Sequence, residues 1–187
     1  MHGHALDHLA FIRQTMERAG TFTAVSGRGQ VVVGAIALAA AALASRQVTR
    51  EAWLGVWLGA AAGAVAVAVT GIVLKARTMR TPVLSGPGRR FALGFAPPVV
   101  AGAALTFALA RAGAWDMLPP TWLLLYGAAV VAGGTFSVPP VPVMGGCFMA
   151  LGVTALLAPA WGDWWLALGF GVLHVAFGIR IAVKHGG

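Results

Sequence analysis

The chain has 187 residues, 59% of them apolar and only 10% charged, and its mean hydropathy is +0.83. A soluble domain carries about a quarter charged residues, so this composition excludes an ordinary soluble fold and predicts an all-α integral membrane protein. The formal charge of +8 would suggest nucleic acid for a soluble protein; here it predicts basic loops held on the cytoplasmic side, with no nucleic-acid partner.

The first 25 residues are polar and mixed, and no short apolar run leads to a small-residue cleavage site, so no cleavable signal sequence is expected. Within them, ALDHLAFIRQTMERA at 5–19 gathers Leu6, Leu9, Ile12 and Met16 on one helical face, opposite Asp7, Gln14, Thr15 and Arg18. Phe11 breaks the pattern. The stretch is too short and too charged to span, and predicts an amphipathic helix on the inner surface or against the bundle. Residues 1–25 are therefore read as a cytoplasmic helix and connector, and 26–187 as the transmembrane domain. His2, His4 and His8 lie beside Asp7, and His4 and His8 are one helical turn apart. These three are the candidate metal ligands, for zinc or copper. Their spacing matches no closed four-ligand pattern, so no cofactor is expected.

Six apolar runs follow, each near the length that crosses a bilayer. They are Gln30–Ser45, Ala52–Leu74, Phe91–Ala110, Trp122–Ser137, Val143–Ala158 and Trp164–Val183. With N- and C-termini both cytoplasmic, the inner segments hold Arg13, Arg18, Arg28, Lys75, Arg77, Arg80, Arg89, Arg90, Arg180 and Lys184. The outer segments hold only Arg46, Arg50 and Arg111. All seven tryptophans, Trp53, Trp57, Trp115, Trp122, Trp161, Trp164 and Trp165, flank the runs at the outer edge, where indole rings settle among lipid headgroups. The inner loop KARTMRTPVLSGPGRR puts Lys75, Arg77, Arg80, Arg89 and Arg90 where each can attract anionic headgroups by about 1 kcal/mol. Its SGPG lacks the spacing and the Lys-Ser/Thr pair of a phosphate-cradling loop. The alanine-rich composition points to a GC-rich bacterial genome, and with it to a multi-pass protein of the cytoplasmic membrane.

The outer turns share a grammar. Ala52-Trp53, Ala114-Trp115 and Ala160-Trp161 mark them, and Trp57-Leu58, Trp122-Leu123 and Trp165-Leu166 open the descending helices. Gly71, Gly134 and Gly178 follow those tryptophans by similar intervals. The pattern predicts three hairpins, a 2+2+2 internal repeat of a two-helix unit. The arrangement is similar to that of small bacterial six-helix membrane proteins of the HdeD acid-resistance type. That likeness implies the three-hairpin architecture and no particular activity, and the extra N-terminal helix departs from it.

Lipid supplies little hydrophobic drive between helices, so close contact through small residues matters. The second run carries Gly55, Gly59 and Gly63 at four-residue intervals, and the first carries Ala37, Ala41 and Ser45 at the same spacing. These faces are expected to meet in the first hairpin, or the glycines to pair two copies of the chain. Pro97-Pro98 falls in mid-span and removes two amide donors, which predicts a kink or break in the third helix.

Chemistry is scarce. The five acids, Asp7, Glu17, Glu51, Asp116 and Asp163, all fall outside the spans, which argues against a proton- or sodium-coupled transporter and an intramembrane hydrolase. The candidate polar seam is Thr106, Tyr126, Thr135, Ser137, Thr154 and His174. His174 has no second intraspan histidine for a bis-histidine haem; Met144, Met149 or Cys147 would have to supply the other axial ligand. A hydrogen bond from His174 to a neighbouring helix is the simpler expectation. With one cysteine, Cys147, no intrachain disulfide can form.

The residues thus predict a non-enzymatic polytopic protein, an accessory, regulatory or stress-related component of the membrane, in a larger complex or homo-oligomer. The alternative is a small channel or facilitator for a neutral or weakly charged solute, built on the Pro97-Pro98 break and the polar seam. A haem- or metal-binding membrane protein comes third.

Overall fold

The computed structural model describes residues 11–12, 16, 20, 22, 25–78 and 86–185. Six helical stretches among them are long and apolar enough to cross a membrane. The described residues form no β-strand beyond an isolated bridge between Phe22 and Ser137. The spans are α1 (Gly27–Ala44), α2 (Arg50–Thr78), α3 (Gly86–Arg111), α4 (Leu118–Gly134) and α5 (Pro140–Leu157). The last span is composite: α6 (Gly162–Leu166), a π-helical segment (Ala167–Leu173) and α7 (His174–His185).

Local chemistry sets the helix starts. The Ser26 hydroxyl accepts a hydrogen bond from the Gly29 amide at 3.1 Å and caps α1. Pro119 and Pro120 lie in the first turn of α4, and α5 opens on Pro140. A missing amide is harmless in a first turn, where the donors have no partner within the helix. The proline-rich stretch before Val143 is thus the start of a helix as well as a turn. It lengthens α5, as Leu118-Pro119-Pro120 lengthens α4 at its start.

Backbones come together through glycine at three seams. Along the seam between α1 and the last span, a Cβ on Gly34 would stand 2.8 Å from the Gly171 carbonyl oxygen, and one on Gly178 would stand 2.9 Å from that of Gly27. Between α4 and α5, a Cβ on either Gly127 or Gly145 would stand 2.8 Å from the other's carbonyl oxygen. Between α3 and α4, a Cβ on Gly94 would stand 2.8 Å from the Ala132 oxygen. No side chain larger than hydrogen fits at such distances, so these glycines set how near the helices lie. Accordingly, α5 packs most extensively on α4, and the last span on α1.

Two expectations are corrected here. Nothing stands within 4 Å of a Cβ built on Gly55, Gly59 or Gly63, so this ladder is not the contact of the first hairpin. Ala37 and Ala41 are buried, but Ser45 is exposed. The face of α1 that packs at backbone distance carries Gly27 and Gly34, and it meets the last span. Second, α3 runs without a break through Pro97 and Pro98. The two prolines cost α3 the amide bonds to the Leu93 and Gly94 carbonyls, and the turns on either side carry the helix past them.

The helix ends segregate by charge. The end where α1 begins and α2 finishes carries Arg28, Lys75, Arg77, Arg89, Arg90, Arg180 and Lys184, with no acid among the described residues. The opposite end holds Glu51, Asp116 and Asp163 with Arg46, Arg50 and Arg111, together with the tryptophans. Gly178→Leu and Gly145→Leu should each destabilise the protein in detergent by several kcal/mol, as overpacking at backbone contact does. Gly59→Leu should change the stability of the isolated chain by less than about 0.5 kcal/mol. Thermal unfolding followed by tryptophan fluorescence checks all three.

Candidate functional site

At mid-depth, where α4, α5 and the last span converge, the Tyr126 hydroxyl lies 2.8 Å from His174 Nε2. His174 is 1% exposed. It is the first residue of α7, directly after the π-helical segment. That segment contains Gly169 and Gly171, both buried, and side chains fill the space above them. Leu123 and Phe148 press on Gly169, and a Cβ on Gly171 would stand 2.7 Å from the Leu38 Cγ. A π turn accommodates an extra residue and re-aims the side chains that follow it.

Rings enclose the pair. Phe148 lies 5.3 Å from the His174 ring, at 74° to it. Phe170 is stacked at 6.2 Å. Around Tyr126, Phe95 of α3 sits edge-on at 5.9 Å, and Phe148 and Phe170 at 4.8 Å and 5.0 Å. His174 Nδ1 is buried with no hydrogen-bond partner among the described residues. Gln30 Oε1 and Trp57 Nε1 are likewise buried without a partner. Neutral imidazole has one donor and one acceptor nitrogen, so a phenol donating to Nε2 leaves the proton on Nδ1. The pair can orient and hydrogen-bond. Its surroundings supply no carboxylate to draw a proton through it.

The other seam residues do not join it. Thr106 donates to the Gly102 carbonyl at 2.7 Å and accepts from Trp122 Nε1 at 2.8 Å. Thr135 and Thr154 are exposed and back-bond to Ala132 and Leu151 of their own helices. Ser137, at the basic end, donates to the Phe22 carbonyl. The six candidates therefore form four separate local arrangements and one pair rather than a single seam, and Tyr126 and His174 alone among them meet each other.

Several headgroup contacts expected from the sequence are also internal. Trp57 is 5% exposed and lies 6.5 Å from Phe170. Trp53 stacks on Trp122 at 5.6 Å and donates from Nε1 to Asp163 Oδ1 at 2.7 Å. Trp165 donates to the Ala158 carbonyl at 3.0 Å. Trp161 and Trp164 remain open, at 60% and 67%, and Trp115 is half-buried. Lys75 is turned inward, donating from Nζ to the Val25 carbonyl at 3.0 Å. Arg77 and Arg89 are exposed, and Arg90 lies over the Phe136 ring at 5.9 Å. Arg80 and the metal candidates His2, His4 and His8 fall outside the described residues. Among the described residues, no three His, Cys, Asp or Glu side chains gather as metal ligands.

Sequence reasoning missed the π-helical segment and the Trp53–Asp163 contact. The closely spaced glycines of LGFGVLH were the one available signal for the first. No family model, curated protein or solved structure matches this chain.

Tyr126→Phe should cost about 1–3 kcal/mol, the usual penalty for leaving a buried polar atom unpaired. Combining Tyr126→Phe with His174→Leu should cost less than the sum of the two single changes. A double-mutant cycle on unfolding free energies measures that coupling.

Proposed function

We propose that this chain is a non-enzymatic accessory, regulatory or stress-related component of a bacterial cytoplasmic membrane, with both termini in the cytoplasm. The observation that carries this reading is the filled centre of the bundle. Where a polar path would have to run, Phe95, Phe148 and Phe170 pack on Tyr126, and the first two seam partners found there bond to each other. Catalysis and ion coupling within a membrane need buried charge, and the described acids sit at the tryptophan end.

The orientation is supported by the charge difference between the two ends and by the open Trp161 and Trp164, since basic residues are retained in the cytoplasm and indoles favour the interface. Anionic headgroups are the natural partner of the exposed Arg77, Arg89, Arg180 and Lys184 at the basic end. The sequence of residues 5–19 would suit an amphipathic helix on this same side. A three-hairpin duplication rests on the turn grammar alone, since the most extensive pairings, α4 with α5 and α1 with the last span, join different hairpins. The unoccupied Gly55–Gly59–Gly63 stripe leaves room for a second copy or a partner helix.

In cells challenged with acid or envelope stress, a deletion strain should be rescued by His174→Leu, Tyr126→Phe and Thr135→Ala forms that fold. Charge reversals at Arg13 and Arg18 should impair rescue. Failure confined to these three variants would overturn the proposal. Proteoliposomes of the purified protein should pass neutral solutes no faster than empty vesicles; a specific flux would support a facilitator instead.

A further inference from the structure

Helices α2 and α3 are the least enclosed of the spans. Of α2 only Trp57 and Ala76 are buried, and of α3 only Pro87, Gly88 and Thr106. Their basic ends are nevertheless joined by one short stretch that precedes α1. The Phe22 amide donates to the Phe136 carbonyl at 2.6 Å, and the Phe22 carbonyl accepts from Ser137 Oγ at 2.8 Å. Both contacts lie in the connection between α4 and α5. The Phe22 ring meets Phe91 of α3 at 5.1 Å. Three residues on, the Val25 carbonyl accepts from Lys75 Nζ of α2 at 3.0 Å, and a Cβ on Gly71 of α2 would touch Ser26 at 3.2 Å. Phe22 and Val25 are both buried.

The contacts continue inward as a run of rings. Phe91 stacks on Phe95 at 5.8 Å and 10°, Phe95 abuts Tyr126 at 5.9 Å, and Tyr126 holds His174. Packed interiors respond to displacement as blocks, because interdigitated rings have few intermediate arrangements. A shift of Phe22 is therefore felt along α3.

We propose that the stretch containing Phe22, Val25 and Ser26 is a strap that closes the basic ends of α2 and α3 onto the bundle, so that its seating sets the packing around Tyr126 and His174. This coupling needs no assumption about the protein's role.

Tyr126 is the one tyrosine of the chain, so 3-fluorotyrosine gives the full-length protein a single ¹⁹F resonance from the site. Ser137→Ala, which removes one hydrogen bond, and Phe22→Ala, which removes the ring, are compared in detergent micelles with Val153→Ala on the exposed face of α5. Deuterium exchange at the Phe22 amide reports whether the strap has lifted. The expected result is faster exchange at Phe22 with a shifted or split fluorine resonance in both strap variants, and neither change in Val153→Ala. Faster exchange with an unmoved resonance would overturn the proposal, as would a strap that stays seated when both its hydroxyl partner and its ring are removed together. If Phe22→Ala proves unstable, Ser137→Ala with Lys75→Met asks the same question through hydrogen bonds alone.

Discussion

Backbone-to-backbone contact through glycine is the constraint on which this bundle rests. Lipid tails are as apolar as leucine, so burying leucine between helices gains little, and association depends on dispersion contacts at short range. Gly27, Gly34, Gly171 and Gly178 bring α1 against the last span; Gly127 and Gly145 bring α4 against α5. These seams place α1, α4, α5 and the last span in the middle and leave α2 and α3 as flanking staves. Along its length α3 is held against α4 by Gly94 at the Ala132 carbonyl, and the flanks are tied further at their ends. At one end Trp53 reaches Asp163 and stacks on Trp122. At the other, Lys75 and Phe91 meet the stretch before α1.

The centre follows from that arrangement. Small residues at the seams leave volume beside them, and aromatic rings occupy it. Phe148, wholly buried, touches Tyr126, Phe170 and His174 together. A polar group placed there must find a partner within reach, since no water competes for it. The Tyr126 hydroxyl and His174 Nε2 satisfy this condition for one another, while His174 Nδ1 is left without a partner. The π-helical turn just before His174 is the local adjustment in the last span at the level of that pairing.

Much of this was legible in the residues. Hydropathy located every span, because crossing a bilayer demands a minimum apolar length whatever the fold. Charge asymmetry and tryptophan placement sorted the helix ends into two kinds for a similarly general reason. The site was less legible. Tyr126 and His174 were both candidates, yet nothing in their 48-residue separation distinguishes them as partners from Thr106, Thr135 or Thr154. The Gly55–Gly59–Gly63 ladder was the most conspicuous packing signal, yet no described residue stands within 4 Å of a Cβ built on it. Gly27, Gly34, Gly171 and Gly178, spaced at seven, carry the contact instead.

What the sequence determined by itself, then, was that six segments are apolar and long enough to cross a membrane and that basic and acidic residues gather at opposite ends of them. Those properties depend on local composition. Tertiary structure alone decided which helix lies beside which, that Trp57 and Lys75 turn inward, and that Phe22 reaches across to Ser137. Such contacts join residues as many as 115 positions apart, and they depend on the relative rotation of whole helices, which a single helix's periodicity does not encode.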